Sequence, residues 1–199
     1  MSLAESFLAL VKRASLDVDL PRLREETALF AARCPELSTR RKAERLVESV
    51  ARKAAALGAA ASLPPGWAAV AAVAPELSAL LLLQSRMIVA VHLLYGRDPE
   101  PEERAGEVLA SLAAGAGLFA GRRLTSRTAE AIAGRLLGRL LGREAVHFVP
   151  LLGAAAGAAL NYATVRAVGR AVVARVEARY GPPEIPGRGP IVDGTGRLT

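Results

Sequence analysis

Cysteine occurs once in this chain, histidine twice, and aromatic side chains make up only 4% of its residues. Each scarcity excludes something. Cys34 alone cannot close an intrachain disulfide, so no covalent framework holds the fold. It falls at a predicted helix end without a nearby histidine, which fits an inert thiol better than a nucleophile. His92 and His147 both sit in apolar surroundings, where core or helix-end imidazoles are commoner than zinc ligands. The signatures of a serine nucleophile elbow, a nucleotide phosphate loop and a helical zinc motif are all missing. GAGLFAG is no dinucleotide fingerprint, because its last glycine is misplaced and no strand precedes it. The N-terminal MSLAESFLALVKRAS lacks a basic stretch ahead of its short apolar one, which predicts a cytosolic protein, dissolved or resting on the inner membrane face. The residues give no catalytic constellation, no cofactor and no metal.

What the chain has is aliphatic. Hydrophobic residues reach 52% of 199, enough for one substantial core, and with few aromatics the packing surface must come from Ala and Leu. Small side chains favour closely approaching helices over a sandwich. The composition therefore predicts an all-α, compact single-domain helical bundle with Gly/Ala-mediated packing. The formal charge is +7, and its distribution is uneven. Residues 1–121 hold fourteen basic and fourteen acidic side chains, whereas residues 122–199 hold twelve arginines and five acids. The final third is the cationic part, suited to acidic lipid or an acidic protein surface. Nucleic acid ranks last as a partner. The basic third offers one aromatic pair of little promise, Phe148 and Tyr162, and no recognisable nucleic-acid module.

Periodicity and capping residues outline the helices. Leu3, Phe7, Leu10 and Val11 share one face of a first helix. Asp19 and Pro21 open a second, with Leu23, Thr27 and Phe30 inward. Ser38 caps a third, whose apolar stripe reads Leu46, Val47, Val50, Ala54, Leu57 and Ala61. Its early run of arginines and lysines reads as a solvated face. After Trp67 an Ala-rich segment reaches Pro75, and a longer apolar helix follows to Gly96. Arg86 within it would cost ~2.5–3.5 kcal/mol at a bilayer centre, so the expectation is a buried central helix. DPEPEER starts another helix, which runs to a Gly-rich break at 115–121. The chain divides into an N-terminal helical segment (1–37), a main helical domain (38–180) and a flexible Pro/Gly-rich tail (181–199).

Two late segments stand out. In SRTAEAIAGRLLGRLLGR, Arg135, Arg139 and Arg143 fall opposite Leu136, Leu137 and Leu140, a basic amphipathic pattern suited to anionic membrane surfaces. The same pattern serves an ordinary bundle helix, and that reading is the commoner one. From Ala145 to Val165 the chain then runs 21 residues without a charge, long enough to span a bilayer but rich in Ala and Gly. Pro150 suits a first helical turn, while Gly153 and Gly157 share a face where another backbone can approach closely. Asn161, one turn further, needs a partner if buried, and a structural contact is favoured over a ligand site.

LLYGRDPE at 93–100, then VPLLGAAAGAALNY and AVGRAV, resembles the EcsC family of bacterial proteins. The likeness rests on Tyr95, Gly96 and Asp98 in the first block and on Pro150, Gly153 and Asn161 in the second, and spans about residues 50 to 175. The family takes its name from an operon that also encodes an ABC transporter, so the resemblance implies a membrane-linked setting and no defined reaction. With the charge map, it predicts a non-enzymatic accessory protein at the cytoplasmic membrane face. Its partner would be anionic lipid or a membrane protein, met through apolar helices and the Arg-rich third. A soluble adaptor for an acidic protein is the alternative. A third reading is a hydrolase with Tyr95, Asp98 and Asn161 in one cleft.

Overall fold

The computed structural model describes residues 3–61, 67–115, 117, 134 and 150–181. Among these the chain is all-helical, with α1 Leu3–Leu16, α2 Leu20–Ala32, α3 Thr39–Ala61, α4 Trp67–Leu94, α5 Pro101–Gly115 and α6 Pro150–Tyr180. The predicted basic segment with Arg135, Arg139, Arg143, Leu136, Leu137 and Leu140 lies outside the described residues, as do His147 and the residues beyond Gly181.

Capping chemistry sets the helix limits. The Asp19 carboxylate accepts the Arg22 N–H at 3.2 Å, with Pro21 just inside the helix where its missing N–H costs nothing. Ser38 caps α3 through its hydroxyl, which accepts the Arg41 N–H at 3.4 Å. Gly96 ends α4 with φ of 70°, a left-handed conformation that lets Gly96 N–H reach Leu93 O at 3.0 Å and Arg97 N–H reach His92 O at 2.9 Å. Pro150 stands at the first position of α6, as expected. One boundary differs from expectation. Pro75 does not separate two segments, because α4 runs continuously through it from Trp67. A mid-helix proline forfeits one backbone bond, at about 3 kcal/mol. Strong helix formers before it, and the burial of Leu77, Leu80 and Leu81 after it, offset that cost.

Packing is organised around α3 and α6. The two run antiparallel, since Gly58 faces Gly157, Val47 faces Gly169 and Arg40 meets Glu177. A Cβ on Gly58 would overlap the Gly157 carbonyl and lie 2.6 Å from Asn161 Nδ2. The close crossing anticipated at this face is therefore present at Gly157, and Gly153, one turn earlier, is buried. Gly115 of α5 meets α6 in the same way, a Cβ there falling 2.6 Å from Val168 Cγ2. Such approach explains a shift in the α3 stripe. Its buried positions are Ala43, Val47, Ala51, Ala54 and Gly58, while Leu46, Val50 and Leu57 flank them half-buried. Backbones this near have room only for small residues between them.

α1 packs on α4 and α5, adding Phe7, Val11 and Ala14 to the common core, and α2 lies on α4. The segment Pro75–Leu94 is long and apolar enough to cross a membrane, but most of it is buried within the protein. Gln84, Ser85 and His92 are among its buried residues, and Arg86 bonds Glu26 of α2 at 2.8 Å. It is the central helix.

Not every helical glycine belongs to a seam. Gly106 of α5 is exposed, and a Cβ there meets nothing within 4 Å. Gly106→Ala should therefore stabilise the protein by about 0.5–1 kcal/mol through lower unfolded-chain entropy and better helix propensity. A lower midpoint of urea unfolding in the variant would contradict this.

Candidate functional site

The residues of the two sequence blocks are each engaged with a different partner. The Tyr95 hydroxyl, at the α4 end, donates to Glu177 Oε1 at 2.8 Å, and Arg40 holds the other oxygen of that carboxylate at 3.0 Å. Burial first, and then the Glu177 hydrogen bond, push the Tyr95 phenol well above its ordinary value. It stays a donor. Asp98, just beyond Gly96, pairs with Arg24 of α2 at the surface. Asn161 is almost fully buried, and its Nδ2 donates to Glu76 Oε1 of α4 at 2.9 Å. That carboxyl is buried as well.

These residues do not form one cleft. Glu177, the partner of Tyr95, and Asn161 are sixteen residues apart on the same helix, about 24 Å along its axis. The polar atoms of the blocks tie α4 to α6 at one end and α4 to α6 at the other, with Asp98 fastening α2. Sequence reasoning found the donors and missed the acceptors. Glu76 and Glu177 lie more than eighty residues from their partners, and no local spacing marks them.

Two further networks brace α6. Tyr162 donates to Glu48 at 2.9 Å, with Arg52 and Arg166 on the same carboxylate. The tyrosine hydrogen bond first, and the two arginines after it, hold Glu48 below the usual carboxylate range. Glu107 of α5 accepts from Arg179 at 2.7 Å and Arg175 at 3.3 Å, and His92 Nε2 lies 3.9 Å away without a hydrogen bond. Burial pushes the His92 pKa down, and the two arginines reinforce this against the pull of Glu107. His92 is thus a helix-end core imidazole, held neutral. The unfolded chain takes up a proton near pH 6.5 and the folded chain only at lower pH, so acidification through 6.5 favours unfolding. Stability should fall as pH drops from 7 towards 5, and His92→Phe should flatten that slope in denaturant titrations. An unchanged slope would mean that other groups set it.

Cys34 is half-buried, with Arg45 Nη1 at 2.8 Å from its sulfur. Among the described residues no three His, Cys, Asp or Glu side chains gather as a potential metal site.

One concavity, of 350 Å³, opens between α3 and α6 beside Glu48 and Arg166, and a larger one lies between α2 and α3, over α4. The larger measures 560 Å³, within the size range of ligand pockets, roughly 300–1,000 Å³. α2 rests on α4 and stands off from α3, so the side chains of all three helices line the gap. Leu23, Thr27, Met87 and Ala90 form its buried floor. Phe30, Leu46, Val50 and Leu83 are its half-buried walls, and Leu29 and Leu82 are exposed at 55% and 36% along its edge. Three of its six polar lining residues, Arg33, Lys53 and Arg86, are cationic. Arg86 is neutralised by Glu26, which Arg22 also contacts, whereas the exposed side chains of Arg33 and Lys53 have no acidic partner among the described residues. Thr27 adds a buried hydroxyl without a hydrogen bond. A helical threonine commonly bonds the carbonyl one turn back, so an unpartnered one on a groove floor is unusual.

Comparison with protein-family models, curated proteins and solved structures finds no match to this chain.

Proposed function

We propose that this chain is a non-enzymatic accessory protein of the cytoplasmic membrane face, which contacts anionic lipid or a membrane-protein partner. The observation that carries the reading is the α2–α3 groove, where an apolar floor and two unpaired cations occur together. That pairing suits amphiphiles, whose tails seek apolar walls and whose acidic heads seek Arg and Lys. The engagement of Tyr95, Asp98 and Asn161 in separate internal contacts supports a binding role over catalysis. The arginine surplus after residue 121 supplies attraction to an anionic surface, and the likeness to the EcsC family supplies a membrane-linked setting. Association would be peripheral, because the one described helix both long and apolar enough to cross a bilayer is mostly buried within the protein.

Flotation with liposomes tests this. Binding should be strong to anionic vesicles, weak to neutral ones and reduced by salt. Replacing Arg135, Arg139 and Arg143 with Gln should weaken it by about tenfold, given that each basic residue near such a surface contributes about 1 kcal/mol before screening. Equal recovery with both vesicle types would remove the electrostatic version of the reading, and no flotation with either would leave the second reading, a soluble adaptor for an acidic protein, which the exposed arginines of α3 and α6 would equally serve.

A further inference from the structure

The groove between α2 and α3 carries more information than a general affinity for membranes. We infer that it is a binding site for a single long-chain carboxylate, with the acyl chain along the apolar floor and the carboxylate at Arg33 and Lys53. The inference rests on the membrane-face reading above and narrows it to one ligand class.

Two observations converge. The volume is that of a small-molecule site, and at 560 Å³ it admits an acyl chain; a partner helix, some 10–12 Å across with anchors over several turns, would need a longer trough. The lining divides by chemistry with depth. Buried and half-buried aliphatic side chains form the interior, and the unpaired cations stand at exposed positions, as a ligand with one apolar end and one anionic end requires. With Arg86 and Glu26 cancelling, the local balance from Arg33 and Lys53 is positive.

Titration calorimetry of the full chain with dodecanoate, dodecanol and dodecyltrimethylammonium, all below their aggregation limits, tests the assignment. Dodecanoate should bind with one-to-one stoichiometry, dodecanol about tenfold more weakly and the cationic amphiphile least. Arg33→Glu with Lys53→Glu should remove the preference for the carboxylate while leaving dodecanol binding intact. Ala79→Trp, which fills the groove from an exposed position on α4, should abolish binding of both, with circular dichroism confirming an intact fold. Equal affinity for the anionic and cationic amphiphiles, or dodecanoate binding that survives Ala79→Trp, would overturn the inference. Lysophosphatidylglycerol serves as the competing source of an acyl anion, and tighter binding of it than of dodecanoate would assign the groove to membrane lipid instead. Flotation of the Ala79→Trp variant separates the two proposals. Retained flotation with no dodecanoate bound by the parent chain defeats the groove assignment alone; dodecanoate binding without flotation defeats the membrane-face reading alone.

Discussion

Gly58→Leu should destabilise the protein by on the order of 3 kcal/mol, and Gly58→Ala should also destabilise it although alanine is the better helix former. The reason is the obstacle. A Cβ at this position meets the Gly157 backbone carbonyl, which cannot rotate away as the tip of a flexible side chain can. The added group forces α3 and α6 apart, and the loss spreads to Val47 over Gly169 and to the Arg40–Glu177 pair further along the seam. Thermal denaturation would register the leucine variant as a fall of roughly 10 °C for a domain of this size. Opposite signs for Gly58→Ala and Gly106→Ala separate steric seam from ordinary propensity. A Gly58→Ala protein as stable as the parent would mean that the helices are not in contact there.

Asn161→Ala should cost about 2 kcal/mol, because it removes the amide that donates to the buried Glu76 carboxyl and opens a small void beside Gly58. Asn161→Asp should cost more than alanine at neutral pH, since it replaces the donor with a second carboxylate. Glu76→Gln should be the mildest of the three, as its amide oxygen still accepts from Nδ2. Urea unfolding of the set checks the order. If Asp and Ala are equally harmful, the Asn161–Glu76 contact is not the source of the loss.

Local signals in the sequence carried the helices, and distant ones carried the site. Asp19, Ser38, Gly96 and Pro150 act on their own neighbouring backbone, so the helix limits they set are readable without knowing the fold. Pro75 was misleading for the same reason. Its local cost is plain, whereas the packing that overrides it comes from residues far along the chain. The α3 stripe shows the limit more sharply. Hydrophobicity ranks Leu46, Val50 and Leu57 above Ala43, Ala51 and Gly58, yet the nearness of α6 buries the small residues and leaves the large ones at the flanks. Two of those displaced residues, Leu46 and Val50, line the groove. The groove itself was not legible, being built from one face each of three helices whose mutual stand-off no periodicity encodes. Asn161 was recognisable as a residue in need of a partner. Glu76 was not recognisable as the partner.

The α3–α6 seam also dictates an order of events as the chain is made. Some ninety residues lie between the end of one helix and the start of the other. While α6 is still being synthesised, α3 has its stripe from Ala43 to Gly58 uncovered, and Glu76 lacks the Asn161 amide. The earlier helices can form and collapse locally, but the surface that locks them arrives last and must close a long loop to do so. Until then the nascent protein presents a smooth, small-residue ridge that another helix of similar texture could occupy. The ribosome-bound intermediate is therefore the form of this protein most exposed to misassembly with a neighbouring copy, and the stage at which a chaperone would matter most.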